Sequence, residues 1–333
     1  MRSFARLAAI LLLAPVVPVQ AQVTGLTGTL VVTNKSPFTA SIIDVATGRL
    51  LATLPTGRGP HEVVLSSNGR MAVVTDYASN QQPSLTIIDV PGLAVTRTIP
   101  LGQYRAPHGI VFLPGDSLVA VTSEATNNLV IVNVVRGEIR RAIDTKHPGS
   151  HMVGVTANGL LAYTGDMGSN TVSELDLRTG AFTRSWEVPT TPEAINVTPD
   201  GSEVWVGSNA TGKVSVLDPK TGILRTAAEG VQWPYRVLFT PDLKVVIIPD
   251  MGKDEVRFLD RASHRELSRL SMPGAGPQGV TITPDGRYLF LSLSKQAKVA
   301  IIDLRTRQVV GHLDAGQTPD GVVYSRQVID SPR

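Results

Sequence analysis

The sequence predicts an all-β fold assembled from seven copies of one four-stranded unit, and three observations carry that prediction. The first is a short apolar run ending in Asp or Asn. It recurs as Ile42-Ile43-Asp44, Ile87-Ile88-Asp89, Ile131-Val132-Asn133, Glu174-Leu175-Asp176, Val216-Leu217-Asp218, Phe258-Leu259-Asp260 and Ile301-Ile302-Asp303. Successive spacings of 45, 44, 43, 42, 42 and 43 residues mark a repeat architecture. The second is a turn in phase with that run: Ser67-Asn68-Gly69, Pro114-Gly115-Asp116, Ala157-Asn158-Gly159, Pro199-Asp200-Gly201, Pro241-Asp242-Leu243 and Pro284-Asp285-Gly286. Asn and Asp tolerate positive φ and Gly adopts it freely, so these tripeptides close hairpins. Leu243 departs from the pattern, and a different turn is expected there. The third is strand composition: Val, Ile and Leu occupy both faces of many strands, as in sheets covered on both sides.

The elements follow in order along the chain. Arg2 and Arg6 precede the apolar run Leu7 to Val19, which is short for a membrane span and contains Pro15 and Pro18. With Val19-Gln20-Ala21 as a small-residue cleavage site, residues 1–21 are expected to be a signal peptide. The mature protein is then periplasmic or secreted, with no membrane span. Leu30 to Asn34 reads as the second strand of a repeat that lacks its own first strand. In the repeat spanning residues 193–228, strand A runs from Ala194 to Thr198, strand B from Glu203 to Gly207, strand C from Lys213 to Asp218 and strand D from Ile223 to Ala228. A surplus strand A, Val322 to Ser325, lies at the C-terminal end and matches Val63 to Ser66. It can complete the unit begun at residues 29–54 and close a ring, which removes free sheet edges. The expectation is a seven-bladed β-propeller over residues 28–326, with a tail at 327–333. A linear solenoid is the alternative, but it would need atypical end repeats.

Composition removes several classes. The 333 residues are 42% hydrophobic and 5% aromatic, with 30 Gly and 23 Pro. That is too apolar for disorder and too punctuated for long helices. There is no cysteine, which excludes a disulfide scaffold, a zinc finger, covalently attached haem and a Cys-ligated iron–sulfur cluster. Lys plus Arg total 31 against 28 Asp plus Glu. Cleavage after Ala21 removes Arg2 and Arg6, leaving 29 against 28, and a near-neutral chain has no electrostatic case for nucleic acid or anionic membrane. Arg136, Arg140 and Arg141, around Gly137 and Glu138, read as a solvated hairpin end.

Strands such as Leu30-Val31-Val32-Thr33-Asn34, followed by an Ile-Ile-Asp strand and a Pro-Asp-Gly turn, resemble the YVTN-type β-propeller repeat. The resemblance covers about residues 28–326. It implies a propeller of the surface-layer or lactonase-like kind, a group that includes binding proteins as well as lactonase-like and lyase-like enzymes. It also implies that strand A is innermost, so that its first residue lies at the rim of a central channel. Counting back five from the end of each strand A gives His61, His108, His151, Glu193, Tyr235, Gln278 and Asp320, six of them preceded by Pro. Counting ten forward gives Asp76, Ser123, Asp166, Ser208, Asp250 and Leu293, with Asn34 equivalent in the first repeat. Both rings should lie at one end of the channel.

Three imidazoles in adjacent repeats, beside carboxylates, form a competent ligand set for Zn²⁺ or a similar divalent ion. His61, His108, His151 and Glu193 are therefore the candidate metal ligands, and His61, His108, His151, Asp76 and Asp166 the candidate catalytic groups. Glu193, Tyr235, Arg236, Asp250, Gln278 and Asp320 are candidate ligand-binding residues; Tyr104, Arg105, Tyr235 and Arg236, near the rim, suit an anionic or sugar-like ligand or simply cover the channel mouth. The plain alternative is a channel lining that binds water. Asp166-Met167-Gly168 and Asp250-Met251-Gly252 repeat one tripeptide, and turn capping by the Asp is the simpler reading. The Asp and Asn residues ending strand C should accept turn N–H groups. No phosphate-cradling G-x-x-x-x-G-K-S/T, H-E-x-x-H or G-x-S-x-G motif occurs. Two functions remain open. One is a monomeric envelope scaffold that binds a small molecule or protein at the rim. The other is a metal-dependent lactonase-like hydrolase or lyase; no cofactor beyond that metal is expected.

Overall fold

The computed structural model describes residues 23–77 and 82–329. The signal-peptide reading at residues 1–21 lies outside them. The described residues form seven separate four-stranded antiparallel sheets. Blade two comprises Pro60–Leu65, Met71–Asp76, Ser84–Asp89 and Ala94–Pro100. Blade three comprises Pro107–Phe112, Leu118–Ser123, Asn128–Asn133 and Glu138–Asp144. Blade four comprises Ser150–Val155, Leu161–Asp166, Thr171–Asp176 and Ala181–Glu187. Blade five runs Pro192–Val197, Val204–Ser208, Lys213–Leu217 and Leu224–Glu229; its strand boundaries fall within two residues of those expected. Blade six runs Leu238–Phe239, Val245–Asp250, Glu255–Asp260 and Glu266–Ser271, and blade seven Pro277–Ile282, Tyr288–Leu293, Lys298–Asp303 and Gln308–Asp314.

Blade one combines Thr29–Asn34, Thr39–Asp44 and Leu50–Pro55 with the C-terminal strand Pro319–Ser325, which pairs with Thr29–Asn34. The clasp expected from the two chain ends is therefore present. Beyond it, Gln327 donates to the carbonyl of Asn68 in blade two at 3.0 Å and accepts from Thr29 at 2.7 Å, so the chain crosses one blade junction after the last strand.

Closure is visible in the core. Apolar side chains form seven clusters, each between two neighbouring blades. The cluster of Phe290, Val299 and Ile301 with Leu30, Val32 and Val322 joins blade seven to blade one. The second strands explain the two-faced apolar composition: every residue of Thr29–Asn34 and of Tyr288–Leu293 is buried, because each face meets a different blade. Outermost strands such as Glu138–Asp144 are largely exposed.

The expected turns form, with one correction. Leu243 sits at φ 58° and donates to the Thr240 carbonyl at 2.8 Å, just as Gly201, at φ 75°, donates to Thr198 at 2.8 Å. The turn is the same as in the Gly-bearing turn of blade five, so the non-Gly residue takes the left-handed conformation at a cost of about 1 kcal/mol. The strand-C acids behave as expected: Asp176 Oδ1 accepts from the amides of Arg178 and Thr179, both at 2.8 Å, and Asp218 from Lys220 at 2.9 Å.

Candidate functional site

Each rim residue sits in a β-bulge. Pro60 pairs with Asp76, but the next pair is Val63 with Val74, so His61 and Glu62 together face one residue of the second strand. The same shift encloses His108, His151, Glu193, Gln278 and Asp320. In blade six the isolated pairing of Pro234 with Asp250 precedes the strand at Leu238, leaving Tyr235 and Arg236 between them. Proline fixes φ and contributes no ladder N–H, and a bulge then turns the following side chain out of the sheet. Hydroxyls of the preceding blade hold the bulged backbone: Thr33 donates to the His61 carbonyl at 2.8 Å and Thr122 to the His151 carbonyl at 2.6 Å. Because Pro60 pairs with Asp76 and Ser150 with Asp166, the two rings counted from the sequence lie at one end.

The three imidazoles meet. Ring centroids of His61 and His108 are 5.0 Å apart, and those of His108 and His151 3.8 Å apart with planes at 33°. Tyr77 packs 4.6 Å from His61 and 5.4 Å from His108. His61 Nδ1 donates to the Gly59 carbonyl at 2.7 Å, which makes Nε2 of the neutral ring an acceptor. His151 Nδ1 lies 2.9 Å from Glu124 Oε2, which also accepts from Tyr77 Oη at 3.2 Å. Glu124 is placed by the 3-10 turn Glu124–Thr126, which follows strand B of blade three. Burial, then the charge of Lys35, lowers His61 to about 4. Burial and the neighbouring His151 hold His108 well below its ordinary value. Both rings are neutral at pH 7.

A charged network occupies the other side of the rim. Lys35 Nζ lies 2.8 Å from Asp320 Oδ2 and 3.2 Å from Tyr235 Oη, and Tyr235 donates to Asp320 Oδ1 at 2.9 Å. Burial pushes the Asp320 carboxyl up, but Lys35 and Arg236 outweigh it and hold the group below its usual range. Arg236, brought down to about 10 by burial, pairs with Glu62 and stacks 4.2 Å from the Tyr235 ring. Glu62 is in blade two and Arg236 in blade six, so this ion pair crosses the bore. Glu193 accepts the amide of Asn209, and burial raises its pKa despite His151 nearby. Gln278 Nε2 contacts Met251 Sδ at 3.1 Å.

Three predicted rim carboxylates have other partners. Asp76 accepts from Gly57 N at 3.0 Å, Ser84 at 2.6 Å and Thr86 at 2.9 Å. Asp166 accepts from Ser150, Thr164, Thr171 and Ser173 at 2.6–3.2 Å. Asp250 accepts from the amides of Gln232 and Trp233, both at 2.8 Å. All three are fully buried, and burial raises Asp76 and Asp166 to about 6. Their hydrogen bonds run to their own blade and its incoming loop, not to the imidazoles.

The imidazoles as placed do not fit a metal. Among the described residues no three His, Asp or Glu side chains form a metal-binding group. His108 and His151 pack ring against ring at 3.8 Å with planes tilted by 33°, whereas a tetrahedral centre needs ring nitrogens converging at about 2.0–2.1 Å from one point. The counting missed Lys35, Glu62, Tyr77, Glu124 and Asn209. Four of them stand one residue beyond the second ring, in the same register. Glu62 stands one beyond the first.

No family model matches the chain, and no curated protein matches it. Solved structures do. Hydrazine synthase of Kuenenia stuttgartiensis superposes with a TM-score of 0.72 at 19% identity, over 83% of this chain and 92% of that one. A functionally unknown protein from Desulfotomaculum acetoxidans DSM 771 gives 0.71 at 14% identity, over 91% and 100%. A putative 6-phosphogluconolactonase from Bacteroides fragilis NCTC 9343 gives 0.72 at 14% identity, over 91% and 99%. At these identities the likeness is one of fold, and it agrees with the seven-bladed ring.

Proposed function

We propose that this is an exported propeller that binds a small, neutral, hydroxyl-rich molecule at the channel mouth. One observation carries the reading: Asn209 Oδ1, Gln278 Oε1 and His108 Nδ1 are buried at the rim without a hydrogen-bond partner. Leaving a buried polar atom unpaired costs about 1–3 kcal/mol, so a ligand that satisfies these atoms recovers that cost. Two of the three are obligate acceptors, and His61 Nε2 is a further acceptor, which calls for a ligand rich in O–H or N–H donors. An anionic ligand is disfavoured because Lys35 and Arg236 are already paired with Asp320 and Glu62. The pattern of Arg2, Arg6 and Val19-Gln20-Ala21 supports export.

Calorimetry against neutral monosaccharides and polyols, and against the corresponding sugar acids, tests the proposal. Neutral ligands should bind one per chain and better than the acids. Asn209→Ala and Gln278→Ala should each weaken binding about 2–10-fold, the worth of one hydrogen bond. Preference for the acids, or indifference to both substitutions, refutes it. Zn²⁺ titration in the same instrument decides the second reading: one tight ion per chain, lost in His108→Ala, would favour the metal-dependent lactonase-like hydrolase or lyase.

A further inference from the structure

The hairpin cluster Arg136, Arg140 and Arg141 has a neighbour that the sequence does not show. Between blades three and four, toward the face opposite the channel mouth, lies a cavity of about 420 Å³ lined by Arg140, Arg141 and Arg178. Its apolar wall comes from Leu113 and Ile131 of blade three and Leu160 and Leu177 of blade four. Leu160 is 48% exposed. It follows the turn Ala157-Asn158-Gly159, and the equivalent residues in the other turns are Arg70, Ser117, Ser202, Lys244 and Arg287. This blade alone among the six places an apolar side chain there.

The charge around the cavity is unbalanced. Arg136 and Arg140 share one carboxylate, Glu138, at 3.8 and 3.0 Å. Among the described residues Arg178 has only Asp176, at 3.9 Å, and that carboxylate is already held by two turn amides. Arg141 donates to the carbonyls of Leu177 and Arg178, both at 3.3 Å, and has no carboxylate partner among the described residues. Three guanidinium groups, Arg140, Arg141 and Arg178, thus line the apolar wall, with Arg136 competing for the one carboxylate of Glu138. Guanidinium groups bind carboxylates through paired N–H donors, and the apolar wall rewards an alkyl chain.

We infer that this interblade cavity is a binding site for an amphipathic monoanion, a medium-chain acyl carboxylate, with its head on Arg140 and Arg178 and its chain against Leu160 and Leu177. The volume falls within the range usual for small-ligand pockets. Its wall strands Leu118–Ser123 and Asn128–Asn133 are paired on both edges within their sheet, whereas Arg140 and Arg141 come from the outermost strand Glu138–Asp144, so a peptide added to that edge is the competing occupant. The site is independent of the channel mouth.

Octanoate titrated by calorimetry, below its micelle concentration, is the test. One molecule should bind per chain. Hexanoate should bind roughly 15-fold more weakly, for two methylenes fewer, and octyl glucoside, neutral with the same chain, at least tenfold more weakly. Leu160→Glu and Arg178→Glu, both on the surface, should each abolish or reduce octanoate binding at least tenfold without moving the thermal transition or the response to neutral sugars. No binding of octanoate, equal binding of the neutral amphiphile, or an unchanged affinity in Leu160→Glu overturns the proposal. Capture of an acidic peptide in place of octanoate also overturns it.

Discussion

Replacing His61 by Asn should change how stability responds to acid. Asn Nδ2 can take over the Nδ1 hydrogen bond to the Gly59 carbonyl, so the bulge keeps its local support. The imidazole is lowered from 6.5 to about 4 by burial and then by Lys35. An imidazole depressed in the fold is protonated first in the unfolded chain. Its contribution is therefore complete above pH 6.5 and is lost as pH falls toward 4. Over that window the wild type loses about 3 kcal/mol that the variant does not lose. The raw profile of the wild type hides this effect. Asp76 and Asp166, raised by burial to about 6, act with the opposite sign, since a carboxyl that resists ionisation in the fold stabilises as pH falls from 6 to 4. Each offsets about 3 kcal/mol. The difference between the two proteins isolates the imidazole. Urea midpoints at pH 7.5, 6, 5 and 4, converted with a common slope, should show the gap shifting by about 3 kcal/mol toward the variant. A gap constant to about 0.5 kcal/mol across that range would refute the buried, neutral His61 that the rim requires.

Two further perturbations test the remaining architecture. Asp166→Ala removes the shared acceptor of four hydroxyls, of which Ser150, Thr171 and Ser173 keep a bond to Thr145 or Ser169, and should cost about 2–4 kcal/mol in urea unfolding; a loss under about 1 kcal/mol would show that this carboxylate is not the fastening of its blade. Across the bore, Glu62→Leu or Arg236→Met alone should each cost about 3–5 kcal/mol, because the remaining charge is left buried and unpaired, whereas the double variant should recover most of the loss. Additive losses in that cycle would deny the pairing.

The fold was legible because every signal repeated. A single Asn-Gly turn or Ile-Ile-Asp strand is weak, but six Asp and one Asn ending strand C at spacings of 42–45 residues, and six prolines at one offset, leave little freedom of register. The clasp was legible for the same reason, from a strand missing at one end and surplus at the other. Leu243 misled because turn chemistry was read from the residue alone. The Thr240, Asp242 and Val245 bonds that close the hairpin around it are the same as in its Gly-bearing counterparts, and they impose the left-handed residue on whatever side chain is present.

The site was half legible, and the missing half lay in comparing repeats with each other. The counting identified the residues of the rim but not which of them were already engaged. Asn34, Asp76 and Asp166 end strand B in blades one, two and four. In those blades strand C opens with Thr39-Ala40-Ser41, Ser84-Leu85-Thr86 and Thr171-Val172-Ser173. Two hydroxyls spaced i, i+2 lie on one face of a strand, and in all three blades both of them bond the side chain that ends strand B. Where strand B ends in Ser123, Ser208 or Leu293, that hydroxyl pair is absent: strand C begins Asn128-Leu129-Val130, Lys213-Val214-Ser215 and Lys298-Val299-Ala300. The correlation assigns Asn34, Asp76 and Asp166 to blade fastening from sequence alone; Asp250 escapes it, because its strand C opens with Glu255-Val256-Arg257 and the carboxylate takes the loop amides of Gln232 and Trp233. The cross-bore pair was accessible by similar arithmetic. One residue beyond the rim stand Glu62, Gly109, Met152, Ala194, Arg236, Gly279 and Gly321. That ring holds one acid and one base, three or four blades apart by either route. The small residues are required: a Cβ on Gly109 or Gly279 would lie 2.7 Å from Met152 Cα or 2.1 Å from the Asp320 carbonyl oxygen. Where neighbouring inner strands approach that closely, side chains can be carried only by the few remaining positions. The charges in this ring, once the circle closes, have no partner nearer than each other.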